Sequence, residues 1–214
     1  MARGATSSKP FRPGTTGWTA SDLDDPRIEG KWVRGAYEIV EGVLTRMPPA
    51  YFIGGESLFN VMFLVRSHQE RNGISGSFSP EVDIIIDEER VAKADAVWMT
   101  PHERLLQAEA ARDVGRADPD RTRILVPPSL VIESISPGHE RHDRNVKRKW
   151  YAEFGVANYW LLNAYERSLE LLVLEDGAYR TDCSGTEDAN LRPAMFPGLE
   201  LPLARVWATS TPQA

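Results

Sequence analysis

Residues 131–151 read VIESISPGHERHDRNVKRKWY. The first part, with Leu130 before it, is β-branched and aliphatic like a buried strand, and Pro137-Gly138 ends it. Glu133 breaks that pattern. A carboxylate in such company loses its hydration and needs a partner to offset the loss. The second part predicts a helix, RHDRNVKRKWYAEF, closed by Gly155. On a wheel at about 100° per residue, Val146, Trp150, Tyr151 and Phe154 fill one arc of roughly 140°, and Asp143 and Lys147 fall inside it. An ordinary surface Asp–Lys pair at i,i+4 belongs on the polar face. This pair faces the packing side instead, so strand and helix both turn charge inward.

Working outward, NYWLLN (158–163) reads as a strand and SLELLVLEDGAYRT as a hairpin turning at Asp176-Gly177. Upstream, VDIIID and DAVWM are two strands joined by charged residues, and residues 102–114 are helical in character. SLFNVMFLVRSHQERNG repeats Leu58, Val61, Met62, Val65 and His68 at helical spacing before Gly73. YEIVEGVLTRM reads as two extended pieces around Glu41-Gly42, and WTASDLDD as a short helix capped by Thr19 or Ser21. Of the later extended pieces, LELPL is the clearest. Residues 1–16 and 209–214 read as flexible tails around one domain, 17–208. The order predicts a mixed α/β fold: a sheet flanked by helices, with an N-terminal helix and a C-terminal β-hairpin.

With 214 residues, 42% apolar and 26% charged, the chain resembles an ordinary globular domain. One cysteine, Cys183, allows no internal disulfide, and the simplest home is a reducing cytoplasm. Apolar runs such as FNVMFLV are too short to span a bilayer. The net charge of −6 argues mildly against a nucleic-acid binder, although local clustering matters more than the total.

Three acidic residues, Asp83, Asp95 and Glu133, lie in or beside strands. If the strands of Asp95 and Glu133 are neighbours, the two carboxylates converge, as Mg²⁺ or Mn²⁺ requires: few hard oxygen ligands, completed by water and phosphate. A cation there would compensate the buried charge of Glu133. An inward Lys147 would orient a water or steady a phosphate. Each residue also has a plainer role. Glu133 can be a structural carboxylate, Asp95 can cap a turn and Asp143 can be a helix N-cap. Lys147 can reach past Trp150 to solvent, and the run Arg141, Arg144, Lys147, Arg148, Lys149 can be a solvated face. His139 and His142 have zinc-compatible spacing but no third ligand.

These segments together resemble the Uma-two family of putative restriction endonucleases, within the PD-(D/E)XK nuclease superfamily. The resemblance runs from about Trp18 to Trp207. YEIVEGVLTRMPPA is similar to its entry segment and VDIIIDEERVAKADAVWM to its paired strands, with Ala94-Asp95 where the family has Pro-Asp. VIESISPGHERHDRNVKRKWYAEFGVANYWLLN is similar to its signature, with Glu133, Ser136, Asp143, Lys147 and Tyr151 at matching places. The resemblance implies a restriction endonuclease-like domain that cleaves DNA with Mg²⁺ or Mn²⁺. It implies catalytic Asp95, Glu133 and Lys147, the first two holding the metal. Glu41, Asp83, Asp143 and Tyr151 would be supporting residues or alternate ligands, with Arg144, Arg148 and Lys149 on the DNA backbone. A duplex cut needs two sites, so a homodimer is expected, with the C-terminal hairpin as its interface. The sequence also departs from the family. Gly54 or Gly55 stands where a histidine is usual, Val43 replaces a glutamate and Ile135 holds the superfamily's usual lysine position. Residues 102–123 resemble an insertion. The alternative is a nuclease fold with a decayed site, kept for assembly or regulation.

Overall fold

A computed structural model describes residues 9–32, 36–48, 51–115, 123–138 and 140–207. The expected C-terminal tail, 209–214, and His139 lie outside the described residues.

A 3₁₀ turn at Ala20–Asp24 is capped by Thr19, one of its two expected caps, and leads to α1 (Pro26–Trp32). Next come β1 (Tyr37–Val40) and β2 (Val43–Arg46). Glu41 and Gly42 between them both have positive φ, 49° and 73°, as a two-residue hairpin turn requires. Helix α2 (Phe52–Asn72) starts earlier than its hydrophobic spacing predicts and so includes Gly54 and Gly55; it stops at Gly73 in the left-handed region. Then follow β3 (Ser77–Asp87), β4 (Arg90–Met99), α3 (Pro101–Asp113) and β5 (Leu130–Ser134). A π-helical turn at His142–Lys147 runs into α4 (Arg148–Phe154). The chain continues through β6 (Asn158–Asn163), β7 (Ser168–Glu175), β8 (Ala178–Thr186) and the short β9 (Asn190–Leu191) and β10 (Leu201–Pro202).

The main sheet runs β2-β1-β4-β5-β6-β7-β8, with β3 also paired to β4. Strand β4 is its hub. β3 follows it from Ser77↔Met99 to Asp87↔Arg90, β1 meets it at Ile39↔Val91, and β5 at Ala96↔Ile132 through Trp98↔Leu130. β5 and β6 are parallel, in register from Leu130↔Asn158 to Ser134↔Leu162. A parallel pair needs a crossover, and the π turn with α4 supplies it.

Alternation along β5 and β6 sorts the core. Leu130, Ile132, Trp160 and Leu162 meet Val61, Leu64 and Val65 of α2 on one face, with Phe196 and Leu201 of the C-terminal segment. Val131, Ile135, Tyr159 and Leu161 meet Trp150 and Tyr151 of α4 on the other. A third cluster, including Trp18, Leu23, Trp32, Ile39 and Leu44, anchors the N-terminal hairpin.

Two expectations need correction. Residues 9–16, read as tail, pack on that hairpin: the Phe11 ring lies 4.9 Å from Tyr37, and the Gly14 amide donates to the Leu44 carbonyl at 2.8 Å. Phe11 also meets Trp18 edge to face at 5.7 Å. In the C-terminal hairpin, Leu169, Leu171 and Leu172 are buried within the chain's own core, so the apolar strand expected at a subunit interface is already covered.

Candidate functional site

The β4/β5 register that pairs Ala96 with Ile132 puts Asp95 and Glu133 next along, opposite one another. Their carboxyl groups are close enough that the charge on Asp95 raises Glu133. Each also accepts a hydrogen bond. The Ser134 amide donates to Asp95 Oδ2 at 2.7 Å, and the Tyr151 hydroxyl donates to Glu133 Oε1 at 2.6 Å.

Lys147 comes up from the π turn and is 3% exposed. Its Nζ meets Glu38 Oε1 at 2.8 Å, Glu133 Oε2 at 3.1 Å and the Lys93 carbonyl at 3.0 Å, with Asp143 Oδ1 further off at 3.7 Å. An ammonium has three N–H donors, and three close acceptors surround this one. The π geometry bears on this placement. Such a turn is wider than an α-helix and recurs at functional sites, and here it buries both Asp143 and Lys147.

Glu38 is the residue that sequence reasoning missed. It is fully buried on β1, takes the Lys93 amide on Oε1 at 3.0 Å and pairs its Oε2 with His142 Nε2 at 2.8 Å. The signal was available: Glu38 sits in YEIV, a charge inside an apolar strand, the same anomaly that singles out Glu133. Glu41, the expected carboxylate of that hairpin, instead accepts from the Trp150 indole at 3.2 Å. Asp83 is likewise not brought to the cluster. It accepts from the Trp32 indole at 2.6 Å and lies 3.5 Å from Arg123.

Four carboxyl groups thus surround one buried lysine. Burial pushes Glu133 well above the ordinary range; Lys147 opposes this, and Asp95 and Asp143 add to it. Burial also raises Asp95 and Asp143, against the pull of Lys147. Glu38 goes the other way, because Lys147 and the His142 hydrogen bond outweigh its burial. Burial alone would lower Lys147, but Glu133 and Glu38 lead the charges that hold it well above its usual value, so it stays an ammonium.

The cluster opens into a cleft of about 420 Å³ whose lining includes Asp95, Glu133, Ser136, Asp143 and Lys147, with Gly54, Gly55, Leu58, Phe59 and Met62 of α2 opposite. Gly54, one of the two glycines that could stand at the expected histidine place, packs tightly: a Cβ there would fall 2.7 Å from the Ser134 hydroxyl oxygen. Arg144, Arg148 and Lys149 are not in the lining. Arg144 pairs with Glu170 at 2.7 Å, Arg148 donates to the Tyr179 carbonyl at 2.8 Å, and Lys149 is exposed beside Glu153.

Among the described residues, no group of three or more His, Cys, Asp or Glu side chains is arranged to hold a metal ion. The donors on offer are the two carboxyls of Asp95 and Glu133. That set fits Mg²⁺, which binds through one or two carboxylates and completes its shell with water and phosphate.

A family model described as Uma2, putative restriction endonuclease, matches residues 31–204. The chain belongs to that family. Among solved structures it is similar to a putative nuclease belonging to DUF820 from Anabaena variabilis ATCC 29413, with 15% identity, a TM-score of 0.62, and coverage of 81% of this chain and 90% of that one. That likeness establishes the shared fold. No curated protein matches the chain. Among the described residues, no helix is long and apolar enough to cross a membrane.

Proposed function

We propose that this protein is a divalent-metal-dependent endonuclease that hydrolyses DNA phosphodiester bonds. One observation carries the reading: Asp95 and Glu133 face each other across β4 and β5, and both line an open cleft. Asp95 and Glu133 would hold Mg²⁺ or Mn²⁺, which supplies Lewis-acid activation of water and of the phosphate. The Ser134 amide and the Tyr151 hydroxyl fix the orientation of the two carboxylates. Lys147 offsets part of the burial cost of an ionised Glu133 and, by exchanging one of its three acceptors, would donate to a phosphate oxygen. Glu38 and His142 set the position of Lys147 from behind. A homodimer remains part of this reading, because a double-strand cut needs two such sites.

The full engagement of Lys147 favours a second reading, a nuclease fold kept for assembly without turnover. Calorimetric titration with Mg²⁺ and Mn²⁺, beside plasmid digestion, separates the two. The first reading expects binding that Asp95→Ala removes and cleavage that Glu133→Ala abolishes. Absence of both binding and cleavage supports the second. Sedimentation showing only monomer at micromolar concentration would count against the dimer.

A further inference from the structure

We infer that the cleft beside Asp95 and Glu133 seats an unstacked nucleobase, so that the substrate strand is engaged single-stranded at the site. The inference rests on the nuclease reading and names the form of nucleic acid that site takes.

Away from the one phosphate that a cation on Asp95 and Glu133 would hold, the walls of the cleft offer little to a phosphate backbone. Its lining carries Glu81, Asp95, Glu133 and Asp143 against only two cations, Lys93 and Lys147. Both cations already face carboxylates: Lys147 meets Glu38 and Glu133, and Lys93 lies 3.7 Å from Asp83. Two of the outward cations of the following helix, Arg144 and Arg148, are also engaged within the chain. Backbone neutralisation, the usual source of affinity for duplex DNA, therefore has little to work with here.

Apart from Ser134 and Ser136, the rest of the lining is mostly apolar and aromatic. Leu58 and Met62 form the α2 wall, and Tyr51, Phe59 and Tyr165 form the lip. Tyr51 and Tyr165 meet edge to face, with centroids 6.3 Å apart at 86°. Yet Tyr51, Phe59 and Tyr165 remain 50%, 64% and 46% exposed. Rings held open beside a reactive cluster offer π faces to a flat, uncharged ring. A nucleobase is the part of a nucleic acid that meets no repulsion from the four acids. In a duplex that base is stacked on its neighbours, so it reaches the cleft only from a single strand or after leaving the helix.

The test uses the full chain and labelled oligonucleotides: a single-stranded 12-mer and its blunt duplex, followed by fluorescence anisotropy with and without Mg²⁺. The single strand should bind at least about tenfold more tightly than the duplex, the scale of one base–aromatic stacking contact. Phe59→Ala and Tyr165→Ala should each remove about that factor from single-strand binding and leave duplex binding unchanged. Both rings are exposed, at 64% and 46%, so these variants should keep the fold, which circular dichroism checks. Equal affinity for the two forms, failure to bind the single strand, or variants that bind as wild type does would each overturn the inference. A change in sedimentation of Phe59→Ala with unchanged oligonucleotide binding would also overturn it and assign the lip to a second copy of the chain. Cleavage is scored separately. Duplex digestion that depends on Asp95 without single-strand preference leaves the nuclease reading standing and this one fallen, whereas ring-dependent single-strand binding without any cleavage does the reverse.

Discussion

The helices on the two faces of the sheet break opposite rules. The π turn and α4 carry Asp143 and Lys147 into the interior, where ionised groups are normally excluded unless paired. Helix α2 buries Val61 and Val65 as expected but leaves Phe52, Phe59 and Phe63 at 84%, 64% and 53% exposure. The first anomaly places charge where apolar groups belong, and the second places apolar groups where charge belongs. Both converge on one cleft, lined by Asp143, Lys147 and Phe59 together. The difference teaches that the charged face keeps groups that are costly to bury, while the α2 face holds the fold and leaves only its outer edge in solvent.

If that contrast is right, the charged face should be the more fragile. Lys147→Met leaves Glu38 and Glu133 buried without their cation and should lower stability by about 3–5 kcal/mol, measured by urea denaturation at pH 7.5. A loss under 1 kcal/mol would mean that the cluster relaxes by taking up protons. On the opposite face, Leu162→Ala opens a cavity in the apolar core and should lower stability by about 2–5 kcal/mol. Its cost should be the same at pH 5.5 and pH 8, because the buried members of its cluster are all hydrophobic.

The next effect depends on pH and metal. Asp95, Glu133 and Asp143 are raised in the folded chain, so the stability they contribute is present at low pH and is lost as pH rises through their folded values. Glu38 is lowered and runs in the other direction, contributing above the unfolded carboxylate range and losing that contribution in acid. With three groups against one, a divalent cation should matter most at high pH. Saturating Mg²⁺ should raise stability by up to about 2.7 kcal/mol at a hundredfold excess over its dissociation constant, and by more at pH 8 than at pH 5.5. Melting curves across that range check the sign. The smallest effect belongs to the outer edge of α2. Phe63→Ser should change stability by no more than about 0.5 kcal/mol, as for an ordinary surface position, and a larger loss would mean that the ring is covered in solution.

Much of this site could be read before any coordinates. Glu133 stands out because a carboxylate interrupts an aliphatic strand, and Asp143 and Lys147 stand out because helical periodicity places them on the packing arc. The wheel works despite the π turn, because its i,i+4 neighbours still fall on one side. Glu38 was not read, although it shows the same anomaly as Glu133. Its partner His142 is 104 residues away in sequence, and periodicity carries no information over that distance. Asp83 misleads for a related reason: its strand was recognised, but Trp32 and Arg123, which occupy its carboxylate, approach from segments whose pairing the sequence does not reveal. The parallel β5–β6 pair was implicit in the strand–helix–strand order, whereas the hub role of β4 was not.

The attachment of β1 bears on how the site comes into being. This strand pairs with β4 at a single position, Ile39↔Val91, yet it carries the carboxylate nearest Lys147. It is also held by the N-terminal aromatic cluster, by the Trp150 indole on Glu41 and by the Gly42 amide on the Glu89 carbonyl at 2.8 Å. Such a hairpin closes a long loop for few sheet contacts, and long-range closure of that kind comes late in folding. The central sheet and crossover helix can then form first, with Lys147 facing an open edge, until the hairpin docks and Glu38 seals it. The same hinge runs in reverse at equilibrium. Opening of the hairpin alone would free one of the three acceptors of Lys147, so amide exchange of Ile39 and Leu44 would report how often the chain visits an unlatched form of its own site.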